Sequence, residues 1–179
     1  MKRLRFLILL AVAAIAACEK EDTTEWGQID KIVRVHSNFD ATIVPSLLTR
    51  GVAKCTSCTI QGMAGTDGLI ILHSAMIFHA DGKVWEFVAP VPPKTNYVLE
   101  TAWEYVPETR TIVYGKNTRL VVKAVVSDTE LIVEEALTMA HGDGTLFERP
   151  ARSVLRILTD EASLEHYRQQ YESLEKVEE

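Results

Sequence analysis

Cys55 and Cys58, spaced C-x-x-C within VAKCTSCTI, are the residues whose type and spacing most invite chemistry. Such a pair can be a redox couple, a haem attachment point, half of a soft-metal site, or a small covalent staple. Each role needs particular neighbours. A thioredoxin-like couple needs its first cysteine at a helix N-terminus within a βαβ unit, where the dipole lowers the thiol pKa. The flanks GVAK and TIQG show neither that strand nor that helix. Covalent haem needs a histidine directly after the second cysteine, and Thr59 stands there. Zinc or copper needs further soft ligands, for which the chain offers His36, His73, His79, His141 and His166. His73 and His79 share a strand face but lie about 20 Å apart along it, so they cannot both join the cysteines. No cofactor and no metal site is assigned.

Hydrolytic chemistry has little to stand on. There is no G-x-S-x-G elbow, no H-E-x-x-H, and no glycine-rich loop opening a helix. Glu134 and Glu135 are adjacent, so on a strand they point to opposite faces and cannot act as a pair. HGDG (141–144) reads as a turn. The chain is expected not to be an enzyme.

The fate of the cysteine pair depends on compartment. The chain starts MKRLRFLILLAVAAIAACEKED: a basic start at Lys2, Arg3 and Arg5, then an apolar run from Phe6 to Ala17 ending in small residues. That is the layout of a secretory signal, and the run is shorter than the about 20 residues a spanning helix needs. Its end, Ile15-Ala16-Ala17-Cys18, resembles the lipobox of bacterial lipoproteins. The resemblance implies cleavage after residue 17, acylation of Cys18, and attachment to a membrane through that residue. Residues 18–25 are then an acidic tether. Glu19 follows the cysteine in place of the aspartate that retains some lipoproteins at an inner membrane, so an outer-membrane location is expected, periplasmic or surface-exposed. In an oxidising envelope, Cys55 and Cys58 are expected to form a disulfide. Its loop is tiny, so the chain-entropy gain is only about 2 kcal/mol.

The 179-residue chain carries 19 basic and 25 acidic residues. Removing Lys2, Arg3 and Arg5 with the signal moves its formal charge from −6 to −9. An acidic domain without a basic block argues against nucleic-acid binding. Residues 26–158 are long enough for one domain with a true core.

The elements that must position any site are strands. LIILHSAMIF (69–78) leads through Asp81-Gly82, a hairpin signal, into KVWEFVA (83–89). The prolines of PVPPKTN exclude a central strand there. YVLETAWEYV (97–106) alternates cleanly, with Tyr97, Leu99, Thr101, Trp103 and Tyr105 on one face. TIVYG (111–115), RLVVKAVV (119–126), LIVEEAL (131–137) and TLFERPARSVLRIL (145–158) follow across polar turns, with Pro150 marking a bulge or an edge. One to three further strands are allowed among Gln28–Ile60. Sequential hairpins without intervening helices favour a mostly β antiparallel up-and-down meander that closes into a barrel and so removes its edges; a β-sandwich is the alternative. Residues 159–179 change period: Leu164, Tyr167, Tyr171 and Leu174 form one helical stripe. This predicts an amphipathic C-terminal helix whose acidic end frays.

MIFHADGKVWEF, TAWEYVPETRTIVY and LVVKAVVSDTELIVEEA together resemble the small lipocalin-like lipoproteins of Bacteroidetes-type bacteria, over residues 69–137. The resemblance implies a barrel of about eight strands and a non-enzymatic role. Such a barrel can hold a small apolar ligand, and Trp85, Phe87, Leu99, Trp103 and Tyr105 are the candidates to line it or simply to fill it. The expected partner is such a ligand or an envelope protein. A lipid anchor, a small barrel and a C-x-x-C also resemble the envelope-stress lipoproteins of the NlpE type, although Lys54 and Thr56-Ser57 replace the residues of their motif. That likeness implies a redox- or metal-responsive role for Cys55 and Cys58.

Overall fold

The computed structural model describes residues 24–63, 75–89 and 95–178. Cys18, the signal segment, Leu69–Ser74 of the first expected strand, and most of the proline-rich loop lie outside the described residues. Eight antiparallel strands run in chain order: β1 (Val52–Ile60), β2 (Ala75–Phe78), β3 (Lys83–Val88), β4 (Tyr97–Val106), β5 (Thr111–Tyr114), β6 (Thr118–Ser127), β7 (Glu130–Ala140) and β8 (Leu146–Leu158). Each pairs with the next, and β8 returns to pair with β1, so the sheet closes into a barrel with up-and-down connectivity. The hairpin signal at Asp81-Gly82 works as its residue types require. The Asp81 carboxylate accepts from the Lys83 amide at 3.1 Å, and Gly82 takes φ +85°.

Of the region Gln28–Ile60, β1 is strand, within the one to three allowed there; the departure is that helices precede it. α1 (Glu25–His36) precedes it, followed by a 3-10 turn (Ala41–Ile43) and the short α2 (Val44–Leu48). The helix is locally well specified. The Thr24 hydroxyl accepts from the Gly27 amide at 3.1 Å, Glu25 sits in the first turn, and Arg34 and His36 sit in the last.

The other departure is at the C-terminus. α3 (Glu161–Ser173) starts where expected, with the Asp160 carboxylate accepting from the Ser163 amide at 2.9 Å. Instead of fraying, the chain leaves the helix at Leu174, and β9 (Glu175–Glu178) pairs in parallel with Tyr97–Glu100 of β4. The reason is strand length. The short β5 covers only Trp103–Val106 of β4, and β9 takes the edge that β5 leaves open.

Three apolar clusters hold these parts together. The barrel interior packs Ala53, Met76, Phe78, Val84, Ile112, Leu120, Val122, Leu131, Val133, Leu155 and Ile157 around Val44, Leu47 and Leu48, so α2 plugs one end. Outside, Ile29 and Val33 of α1 pack on Ala124, Ile132 and Val154. On the β1–β4 side, Tyr167, Tyr171 and Leu174 cover Val52, Ala75, Phe87 and Val98. The predicted aromatic stripe of the last helix is therefore packing.

Candidate functional site

Inside the barrel that α2 plugs at one end, several side chains with chemistry come together. In antiparallel sheets, residues directly opposite each other face the same side, so the register shows what points inward. Glu86 pairs with Met76, Glu135 with Ala151, Tyr114 with Thr118, and Cys58 with Ser153. All face the interior that α2 caps: Met76 lies opposite Ala53, and Tyr114 lies opposite Trp103 with its ring 6.4 Å from that of Phe78. Glu86 and Ser153 are buried, and Tyr114 is almost wholly so.

A bulge brings the two cysteines into this group. Cys55 opposes Leu155 and Ser57 opposes Val154, leaving Thr56 as an extra residue in β1. In a regular strand, positions i and i+3 would face opposite sides. The extra residue restores parity, and both thiols turn to the interior beside Ser153, with the Cys55 thiol donating to the Ser57 carbonyl at 3.4 Å. The disulfide expected here is not formed: Cys55 and Cys58 are free thiols. The pair sits in a strand and not in a turn: the two cysteines oppose Leu155 and Ser153, two ladder positions or about 7 Å apart, at the outer limit of the Cα separation a disulfide spans.

The electrostatics of this interior group are those of buried acids. Burial pushes both thiols above the usual thiol range; the Ser153 hydroxyl opposes that rise, and Glu135 adds to it. Burial likewise pushes the Tyr114 phenol up, helped by the nearby Glu86 and Glu135 carboxylates, while a hydrogen bond with Thr118 pulls the other way. At neutral pH the site therefore presents protonated thiols and a protonated phenol. These are groups that hydrogen-bond and pack; they are poor nucleophiles. Among the described residues, no three His, Cys, Asp or Glu side chains converge as a metal-ligand set.

The five expected lining residues divide. Leu99, opposite Glu86, faces the interior. Trp103 and Tyr105 face inward too, with Trp103 opposite Tyr114. There Trp103 meets Phe78 edge-on at 5.0 Å, and its Nε1 donates to the His79 carbonyl at 2.9 Å. Trp85 and Phe87 do not line the barrel. They point outward beneath α3, with Trp85 stacked 3.7 Å from Tyr171 and Phe87 against Tyr167.

The cause is that both faces of β3 are covered. Helix α3 gives the outer face an apolar partner, and Glu86 takes the interior. The alternation V-W-E-F-V reads as Glu-out by the usual rule, which holds only for a sheet with one wet face. The expected amphipathic helix was the available signal, because its aromatic stripe needed an apolar partner on the barrel exterior. Nothing in the residue types marks the Thr56 bulge.

Comparison with family models, with curated proteins and with solved structures finds no match to this chain.

Proposed function

We propose that the chain is a lipid-anchored cell-envelope lipoprotein whose barrel serves as a one-ended binding cup, non-enzymatic, for a small ligand. The observation that carries this reading is a set of polar groups inside an apolar barrel. Glu86, Glu135, Ser153, the Tyr114 phenol and the two thiols face an interior otherwise packed with aliphatic and aromatic side chains. A barrel of eight strands has room for one small ligand in its mouth, and a few polar groups on an apolar wall are what fixes such a ligand's orientation. The lipobox-like Ile15-Ala16-Ala17-Cys18 and the basic start support the anchored, exported part of the reading. The resemblance of the strand motifs to those of lipocalin-like lipoproteins supports the binding role.

Native mass spectrometry of the protein purified from its own envelope tests it. The expected result is an acylated chain carrying a dissociable small molecule, lost when Leu99→Trp fills the interior beside Glu86. A bare acylated mass, together with no saturable uptake of an apolar fluorescent probe, would overturn the binding role. A chain that is not acylated would overturn the anchor.

One observation favours a second reading, a redox- or metal-responsive envelope protein: the bulge at Thr56 puts both thiols on one interior face. Thiol titration and copper and zinc analysis decide it. Stoichiometric metal, or thiols that cycle readily with a disulfide reagent, would favour this reading over the first.

A further inference from the structure

We infer that the outward face of α1 docks on the bilayer surface that holds the lipid anchor. This rests on the anchored reading above. The inner face of α1 is spent on the barrel, through Ile29 and Val33. Its outer face carries Gln28, Ile32 and Val35 at i, i+4 and i+7, with Lys31 and Arg34 along one flank and Glu25 and His36 along the other. Val35 is 74% exposed and Ile32 42%, among the more exposed large apolar side chains of the described residues. Apolar side chains beside cations on one helix face are what an interfacial helix presents to anionic headgroups.

The occupant is chosen by chain length. Six residues, 19–24, separate Cys18 from α1. Fully extended they reach only about 20 Å, so an acylated Cys18 keeps α1 beside the membrane. At that range docking is intramolecular. A contact too weak to recruit a free protein is then enough, because the tether sets a high effective concentration. Arg34 is shared with Asp30 at 2.8 Å and Lys31 has a contact of its own, so the apolar pair carries most of the attraction. The acidic balance of the domain opposes a purely electrostatic contact, which makes Ile32 and Val35 decisive. The geometry also orients the molecule. α1 lies over β6–β8 and α3 over β1–β4, so α3 would face away from the bilayer.

The test uses the full acylated chain on phosphatidylethanolamine–phosphatidylglycerol vesicles, with and without brominated lipid. Val35→Trp and Gln169→Trp each add one indole, on α1 and on the exposed side of α3. The expected result is co-flotation of both variants, with the emission added at position 35 quenched about twofold more than that at 169. Adding Lys31→Glu and Ile32→Asp to Val35→Trp should abolish the difference while flotation persists. Co-flotation with equal, low quenching at 35 and 169 would overturn the docking but leave the anchor standing. Quenching at 35 that survives the charge changes would overturn it too, since it would report tether proximity alone. Failure to float would remove the anchor, and the docking with it.

Discussion

Arg152 of β8 and Asp30 of α1 join the helix to the barrel wall: Nη1 lies 2.7 Å from Oδ1, and the Arg152 side chain is only 9% exposed. The same guanidinium reaches Glu134 of β7 at 2.8 Å and lies 4.3 Å from the centre of the Trp26 ring. One cation thus ties the helix to two strands. Because it is nearly buried, its charge must stay compensated.

Asp30→Ala is therefore expected to destabilise the fold by about 1–3 kcal/mol, with α1 the first element to lose amide protection in hydrogen exchange. The pH dependence follows from the same contact. The Arg152 hydrogen bond, its largest cause, holds the Asp30 carboxyl below its ordinary value. The contribution is present above the unfolded pKa of about 3.9 and is lost as pH falls through the lower folded value. Helix protection should stay flat down to about pH 4 and then fall in the wild type, with that acid step missing from the variant. An unchanged acid step would refute the assignment.

Legibility in the sequence followed the physics of each element. Hairpins such as His79–Lys83 were readable because turn chemistry is local. Tyr97–Val106 was readable because its alternation is unbroken. α1 was not, since Ile32, Val33 and Val35 are β-branched residues that favour strands, and its Thr24 cap is one modest signal. β9 was not, because the exposed Glu175–Glu178 is held by backbone pairing to an edge that exists only once β5 stops short. The site divided in the same way. Leu99 could be placed by period alone. Glu86, Tyr114 and Ser153 needed the register, and Cys58 needed a bulge that adds one residue without any marker in the sequence.

Tyr171 pins the last helix. Its ring stacks on Trp85 at 3.7 Å and 11°, its hydroxyl donates to Glu100, and the Lys176 ammonium lies 5.0 Å from its ring centre. Tyr171→Phe should cost about 1–2 kcal/mol, the value of a hydrogen bond to a charged acceptor. Tyr171→Ala should cost about 2–3 kcal/mol, adding the lost stacking and apolar burial. Urea denaturation measures both. Equal losses in the two variants would mean that the ring contributes nothing and that α3 is held elsewhere.

Tyr114 and Glu86 form a polar centre inside the barrel, with the phenol hydrogen-bonded to the carboxylate and to Thr118. Tyr114→Phe removes the phenol from a buried carboxylate and should lower stability by about 1–3 kcal/mol. Combining it with Glu86→Leu should recover part of that loss, because deleting both partners leaves no stranded acceptor. A double-mutant cycle on thermal unfolding checks this, and strict additivity of the two changes would contradict the contact.

The thiols give the sharpest pH signature. Burial, the largest cause, raises both above the ordinary range, and the Ser153 hydroxyl is the largest influence in the other direction. Alkylation by iodoacetamide should therefore be slow at neutral pH for the folded protein and should rise only above the usual thiol pKa of about 8.5. Cys58, half-exposed, should react before the buried Cys55. Ser153→Ala removes the opposing hydrogen bond and should move the reactivity onset to still higher pH. The stability sign is the reverse of that for Asp30. A folded thiol pKa above the unfolded one leaves stability intact below about 8.5 and erodes it as pH rises toward the folded value. Replacing both cysteines with Ala should flatten that alkaline slope, and this can be read from urea midpoints between neutral and alkaline pH. Rapid alkylation at neutral pH, or an alkaline slope unaltered in the double variant, would mean that the thiols are not held inside the barrel as the register of β1 and β8 requires.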